Sequence, residues 1–188
     1  MTDPLDGSAP SPGSADAVEA SSARKLARVR LRWFLLACAV AAGAVLIDQG
    51  SKALALAQLS EDDRIPLLGD WRGLQLAFNP GTVMSLGSDS TWLLTLIAAA
   101  ASIAMLIAAT RAPSAGWAVA IGLVWGGAVG NLLDRLLAPP GFGRGHVTDF
   151  LAYGNLFIGN LADVILGVGV ALGLLLYLRG PHHTRNEQ

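Results

Sequence analysis

The chain has 188 residues, of which 53% are hydrophobic and only 14% are charged, and its mean hydropathy is +0.50. Soluble domains carry about 25% charged residues, so this composition excludes an ordinary soluble domain and indicates an integral membrane protein. The formal net charge of −1 argues neither for nor against a nucleic-acid partner. Cys38 is the single cysteine, which excludes an intrachain disulfide and a thiolate metal cluster.

The N-terminal region is polar and ends in a basic run. Residues 1–22 are rich in Ser, Ala, Pro, Gly and Asp, and such a segment buries too little apolar surface to offset its ordering entropy. The run RKLARVRLR then ends at Arg32, directly before the first apolar segment, and marks a cytoplasmic side by the positive-inside rule. We therefore predict a disordered cytoplasmic tail with a basic flank over residues 1–32.

Four apolar segments are long enough to cross a bilayer as helices. The first starts at Trp33 and, although it resembles the core of a signal peptide, its helical pattern continues past Asp48 and Lys52, which favours an uncleaved span. We predict a membrane domain over residues 33–178 and a cytoplasmic tail over 179–188, with spans at 33–59, 92–109, 117–133 and 156–178.

The connections between these spans differ in character. Residues 60–90 contain short apolar runs broken by Gly, Asp and Asn-Pro-Gly, a pattern that favours short strands and turns. Strand edges are not satisfied in hydrocarbon, so this piece is expected at or above the bilayer interface. Residues 137–155 are predicted to be a loop that contains Asp149, and the segment 151–157 is too short for an elaborate structure.

Polar residues recur at the ends of the predicted spans. Asp48 ends the first, Asn79 precedes the second, Asp134 ends the third and Asp163 begins the fourth. Because successive spans alternate in direction, all four fall on the same side of the membrane. Ionisable side chains near membrane depth are costly and are functional candidates by default. We therefore expect one site at this side.

The residue types in this cluster permit acid–base chemistry. Four acidic residues compete for a few bases, so at least one carboxyl is expected to be under-compensated, which raises its pKa. Two close carboxyls that share a proton can activate water against a peptide bond. Asp134 has an equally plausible structural role, as a partner of Arg135 or Lys52. Two alternatives stay open: a small proton-coupled transporter or channel, and a scaffold that packs through Gly126 and Gly130.

Five motifs in the chain resemble the ordered motifs of the signal peptidase II family of lipoprotein signal peptidases. A single motif of this kind carries little information, but five in the family's order are highly specific. Pro80 and Met84-Ser85 depart from the family pattern, which has a hydroxyl residue and an aromatic residue there. The motifs are DQGSK at 48–52, NPG at 79–81, GGAVGNLLDR at 126–135, VTDF at 147–150 and NLAD at 160–163.

The resemblance implies an intramembrane aspartic endopeptidase with Asp149 and Asp163 as the catalytic pair. It implies an all-α integral membrane protein with four transmembrane helices and a small extracytoplasmic β-rich cradle at about residues 60–90. Asp48 and Lys52 match positions with a structural or orienting role. The positions that match substrate-binding or supporting residues of the family are Asn79, Asn131, Asp134, Arg135 and Asn160.

The resemblance also implies the partners and the location. The expected substrates are prolipoproteins that carry a diacylglyceryl cysteine, cleaved just before that cysteine, and membrane lipid is the surrounding partner. No cofactor, metal or nucleic acid is expected, and the chain is expected to act as a monomer. The expected location is the cytoplasmic (inner) membrane of a bacterium, with both termini cytoplasmic and the active site near the extracytoplasmic face.

Overall fold

The computed structural model describes residues 12–69, 71–81 and 90–180. Within these residues the chain forms a helical bundle with a small sheet at one end. The elements in chain order are α1 (Pro12–Gln58), β1 (Ile65–Leu68), β2 (Arg72–Asn79), α2 (Thr91–Ala109), α3 (Ala115–Leu137), β3 (Val147–Tyr153), β4 (Phe157–Gly159) and α4 (Leu161–Leu178).

The four helices match the predicted membrane spans in number and order. Each contains a window long and apolar enough to cross a bilayer: 21–58, 91–109, 115–137 and 161–178. The four strands form one antiparallel sheet in the order β1-β2-β3-β4. The predicted fold class, four transmembrane helices with a small β structure, is confirmed.

Helix α3 lies at the centre of the bundle and packs against α1, α2 and α4. Small residues allow its close approach to α1. A Cβ atom added at Gly126 would lie 2.7 Å from the carbonyl oxygen of Ala41, and one added at Gly130 would lie 2.5 Å from Oδ2 of Asp48. Larger residues would therefore push the two helices apart. The glycines set the distance at which polar groups of α1 and α3 meet.

The predicted disorder of residues 1–32 is wrong from Pro12 onwards, because α1 is continuous from there to Gln58. Residues 1–11 lie outside the described residues. Proline is well tolerated in the first turn of a helix, since the N–H group it lacks would have no intrahelical partner there. Apart from Val29, residues 23–32 are Ala, Leu, Lys and Arg, which are strong helix formers and extend the first span into the basic segment.

The predicted loop over residues 137–155 and the predicted start of the fourth span at Leu156 are also wrong. Residues 147–153 form β3, residues 157–159 form β4, and α4 begins only at Leu161. The apolar side chains of Leu156, Phe157 and Ile158 run directly into the apolar helix in sequence, which concealed the short strand. Segment 60–90 contributes β1 and β2 to the sheet as predicted, while residues 82–89, including Met84 and Ser85, lie outside the described residues.

A small hydrophobic core holds the sheet against the helices. Ala55 of α1, Leu76 of β2 and Phe150 of β3 are buried together, and Leu59 and Leu161 pack around them. The sheet is therefore fixed to the end of α1 and to the start of α4. This contact determines where the residues of β3 lie relative to α4.

Candidate active site

Two aspartates meet at the junction of the sheet and α4. Asp149 lies in β3 and is 2% exposed, whereas Asp163 lies in the first turn of α4 and is exposed. Asn160 contacts both of them. Its Nδ2 donates to Oδ1 of Asp149 at 2.7 Å, and its backbone N–H donates to Oδ2 of Asp163 at 3.3 Å. One residue thus joins the two carboxyl groups.

The position of Asp163 follows from local helix chemistry. Asn160 is the N-cap of α4, and its Oδ1 accepts from the backbone N–H of Asp163 at 3.0 Å. The carboxylate of Asp163 in turn accepts from the backbone of Asn160, so the two residues form a reciprocal capping box. The cap fixes both the start of α4 and the direction of the Asp163 side chain.

Asn79 holds the other oxygen of Asp149. Its Nδ2 donates to Oδ2 of Asp149 at 3.1 Å, and its Oδ1 accepts from the N–H of Gly81 at 2.9 Å. Arg135 of α3 donates to the carbonyl oxygens of Pro80 and Gly81 and so fixes the same turn. Arg135 therefore acts on Asp149 through the Asn79 turn.

A second group of charges lies beside this pair, between α1 and α3. The ammonium of Lys52 lies 2.8 Å from Oδ2 of Asp48 and 2.9 Å from Oδ2 of Asp134, and all three side chains are buried. Gln49 donates through Nε2 to both carboxylates, at 3.1 Å in each case. We call these four residues the ion cluster. Of the two alternatives for Asp134, pairing with Lys52 is the one observed.

The ion cluster is connected to both aspartates of the pair. The ammonium of Lys52 donates to Oδ1 of Asn131 at 3.1 Å, and Nδ2 of Asn131 donates to Oδ1 of Asp163 at 2.8 Å. Because Oδ1 of Asn131 faces a cation, its amide group must present the donor side to Asp163. A second connection leads from the ion cluster to Asp149. The backbone N–H of Thr148 donates to Oδ2 of Asp134 at 3.0 Å, which anchors β3 one residue before Asp149.

Burial alters the proton affinity of Asp149. The pKa of its carboxyl is raised from the ordinary 3.8 to about 6, and the main cause is loss of solvation by burial. The nearby charge of Asp163 acts in the same direction, whereas the hydrogen bonds from Asn160 and Asn79 and the charge of Lys52 lower the pKa. Desolvation outweighs the two amide donors, so this carboxyl keeps its proton to a higher pH than an ordinary aspartate does.

Both aspartates face a cavity of about 540 Å³. The cavity is also lined by the polar side chains of Asn79, Asn131, Arg135 and Asn160, so several polar groups converge in it. Its remaining wall is largely apolar and comes from α2, α4 and β4: Leu94, Ile97, Ala98, Leu166, Phe157 and Ile158. An apolar cavity with a few converging polar groups is typical of a ligand site.

The structure brings every candidate residue from the sequence into one hydrogen-bonded network. Sequence reasoning missed Gln49 and the backbone contact of Thr148. Gln49 stands next to Asp48 in the DQGSK motif, and this adjacency was the available signal. Among the described residues no group of three or more His, Cys, Asp or Glu side chains is arranged to hold a metal ion.

Comparison with known proteins gives concordant results. A sequence model of the family Signal peptidase (SPase) II matches residues 40–179. The chain is 43% identical over 173 residues to a lipoprotein signal peptidase of Leifsonia xyli subsp. xyli, covering 92% of this chain and 79% of the relative. It is 41% identical over 155 residues to a lipoprotein signal peptidase of Bifidobacterium longum, covering 82% and 84% respectively.

Solved structures resemble the fold. A bacterial membrane enzyme determined by the in meso method at 2.3 Å resolution superposes with a TM-score of 0.69 at 23% identity, covering 81% of this chain and 93% of the other. At this identity the likeness concerns the fold alone. The family match covers most of the chain, and the two relatives are more than 40% identical to it over nearly its whole length. The chain is therefore a multi-pass membrane peptidase that belongs to the signal peptidase II family.

Proposed function

We propose that this protein removes signal peptides from diacylglyceryl-modified prolipoproteins by cleaving just before the lipidated cysteine, with Asp149 and Asp163 as an aspartate dyad that activates water. The observation that carries the proposal is the placement of these two carboxyls in one cavity, joined by Asn160. In the described part of the chain, neither carboxylate has a Lys or Arg nitrogen within salt-bridge distance.

The surroundings of the two aspartates support different roles. Asp163 is exposed to the cavity and accepts a hydrogen bond from the amide of Asn131, so water in the cavity can reach its carboxyl, which suits a base that takes a proton from water. Asp149 is buried, and its raised pKa suits an acid that gives its proton to the scissile carbonyl oxygen. The oxygen of the water molecule then forms a new bond to the carbonyl carbon. Collapse of the intermediate breaks the carbon–nitrogen bond: Asp163 gives the proton that it took from water to the leaving amine, and Asp149 takes back a proton from a hydroxyl of the intermediate as the carbonyl reforms.

The cavity supports a substrate that is part peptide and part lipid. Its polar end contains the amides and carboxyls that would hold an extended peptide, and its apolar wall includes Leu94, Ile97 and Leu166 of the spans. The relatives described above are named lipoprotein signal peptidases, which supports a lipid-bearing cysteine as the occupant of the apolar part. No cofactor is part of this proposal.

We further propose that the enzyme acts as a monomer in the cytoplasmic membrane of a bacterium, with both termini cytoplasmic and the dyad near the extracytoplasmic face. The basic run before Trp33 supports this orientation. The alternative of a proton-coupled transporter is disfavoured, because α2 has no acidic or basic residue and α4 has only Asp163, in its first turn. A proton path across the membrane would require polar groups deeper in these helices.

The test is cleavage of a lipidated prolipoprotein by purified enzyme in lipid vesicles. We expect Asp149→Asn and Asp163→Asn each to lower kcat by at least about a thousandfold, since each removes a group that transfers a proton in the reaction. Asp62→Asn is the matched control, because Asp62 is exposed and lies outside the site. Normal turnover by either dyad variant would refute the assignment.

A further inference from the structure

Two hairpin turns lie side by side at the same end of the strands of the sheet. The turn between β1 and β2 includes Trp71, and the turn between β3 and β4 includes Gly154 and Leu156. Strand pairing aligns Arg72, at which the first turn ends, with Tyr153, at which the second turn begins. The backbone N–H of Gly154 also donates to the carbonyl oxygen of Trp71 at 2.8 Å, which joins the turns directly.

The joined turns present large apolar side chains outward. Leu68 is 70% exposed, Trp71 is 83% exposed and Leu156 is 74% exposed. We call these three residues the tip cluster. Both turns contain the residue pairs usual in turns, Gly-Asp and Gly-Asn, but adjacent exposed apolar side chains of this size mark an interaction surface.

Strand β2 leads from the helical bundle to the tip cluster. The Asn79 end of β2 lies beside α2 and α3, where Thr91 and Arg135 donate to the carbonyl of Pro80. The middle of β2, at Leu76, packs on the end of α1. The strand thus crosses the end of the bundle and continues four residues past Leu76 to Arg72, which is about 13 Å at 3.3 Å per residue. The turns lie beyond that point.

The loop that contains Phe142 and Gly143 indicates how deep this end of the helical bundle lies relative to the membrane. The carbonyl oxygen of Gly143 accepts from Oγ1 of Thr95 at 2.8 Å, and Thr95 lies four residues into α2, which is about 6 Å along the helix. The neighbouring Phe142 is 82% exposed, and Trp92 in the first turn of α2 is 52% exposed. Aromatic side chains at this level suit a bilayer interface. The end of the bundle is therefore level with the interface.

We propose that the tip cluster inserts into the acyl boundary of the adjacent leaflet, so that the sheet lies along the bilayer and holds Asp149 and Asp163 at a fixed depth. Leu54 and Leu56, near the end of α1, are also exposed. An apolar surface at this position buries in the headgroup and acyl region to about 5–10 Å. The insertion depends on the membrane fold and not on the proposed chemistry.

Two arginines lie beside the tip cluster, and Asp70, which is in the same turn as Trp71, lies outside the described residues. Arg64 donates to the carbonyl of Gly154 at 2.9 Å, and the guanidinium of Arg72 lies 4.3 Å from the ring centroid of Tyr153. Both guanidinium groups thus lie next to the turns, where they can reach lipid phosphates while their stems contact apolar groups. The acidic residues 61–63 precede the start of β1, at the end of the strand away from the turns.

The insertion is tested with nitroxide labels in a Cys38→Ala background, in vesicles of phosphatidylcholine and phosphatidylglycerol. Labels at Leu68→Cys and Leu156→Cys are compared with a span reference, Leu96→Cys, and a water reference, Asp62→Cys. Collision rates are measured with oxygen, which concentrates in the bilayer, and with a polar nickel chelate, which is excluded from it. We expect both tip labels to meet the chelate roughly fivefold less often than the Asp62 label, and oxygen as often as the Leu96 label.

Chelate access equal to that of the Asp62 label would overturn the proposal. Protection that appears only after a lipidated substrate peptide is added would overturn it too, because the occupant would then be the substrate. The same labels in an Asp149→Asn background should give unchanged depths, since insertion requires no turnover. Inactivity of the dyad variants and insertion of the tip cluster are thus separate results, and either can fail alone.

Discussion

Two pairs of carboxylates lie in one network, but different groups hold them. Asp48 and Asp134 share the ammonium of Lys52, with contacts of 2.8 and 2.9 Å. Asp149 and Asp163 are held by the amides of three asparagines. A buried cation compensates the charge of its carboxylate partners, and loss of the cation leaves them uncompensated. Amide donors carry no formal charge, so the second pair has no such counter-ion. In the proposed function, this difference separates the structural carboxylates from the reactive ones.

Removal of the shared cation should have the largest effect on stability. In Lys52→Met, Asp48 and Asp134 would remain buried without their counter-ion, at a cost of about 3–5 kcal/mol. We expect the thermal unfolding midpoint in detergent to fall by many degrees. Lys25→Met, a change at an exposed position of α1, is the control and should unfold like the wild type. An unchanged midpoint for Lys52→Met would show that the ion cluster does not stabilise the fold.

Removal of the amide that connects the two groups should mainly affect the reaction. Asn131→Ala deletes the 2.8 Å hydrogen bond to Asp163. A hydrogen bond to a charged group contributes about 1.5–3 kcal/mol, which corresponds to a fall in kcat of roughly 10- to 150-fold. The measurement is cleavage per folded enzyme in vesicles. A higher KM with unchanged kcat would instead indicate that Asn131 only binds substrate.

The pH dependence tests the amide that holds Asp149. Because the dyad must hold one proton, kcat should follow a bell-shaped pH profile, with an alkaline limb set by loss of the proton from Asp149. The hydrogen bond from Asn79 lowers the pKa of Asp149, which burial raises to about 6. Asn79→Ala should therefore raise this pKa and move the alkaline limb to higher pH. A limb that moves to lower pH would contradict the assignment of the proton.

The helices and the gathering of polar residues could be predicted from the sequence for simple physical reasons. Apolar length identifies a span, and alternating span direction places Asp48, Asp134 and Asp163 at the same end. The strand that carries Asp149 could not be predicted in the same way. It pairs on one side with β2 from a distant part of the sequence, and its other partner strand, at Phe157–Gly159, is three residues long and merges with the apolar start of α4.

The partners of individual charges depend on tertiary geometry. Asp134 is adjacent to Arg135 in sequence, yet it pairs with Lys52 of another helix, while Arg135 holds the carbonyls of the Asn79 turn. Spacing along one helix does not reveal a contact with a second helix. The bridging role of Asn160 was equally hidden, because it depends on the cap at which α4 begins.

The contrast between the Asp48–Asp134 pair and the Asp149–Asp163 pair is tested most directly by measuring kcat per folded enzyme together with the unfolding midpoint for Asp163→Asn and Asp134→Asn. For Asp163→Asn we expect kcat to fall by at least about a thousandfold, with a midpoint close to that of the wild type. For Asp134→Asn we expect a clearly lower midpoint, with kcat of the folded fraction within about tenfold of the wild type. The opposite pattern, with kcat lost in Asp134→Asn and retained in Asp163→Asn, would contradict the assignment of the reactive pair.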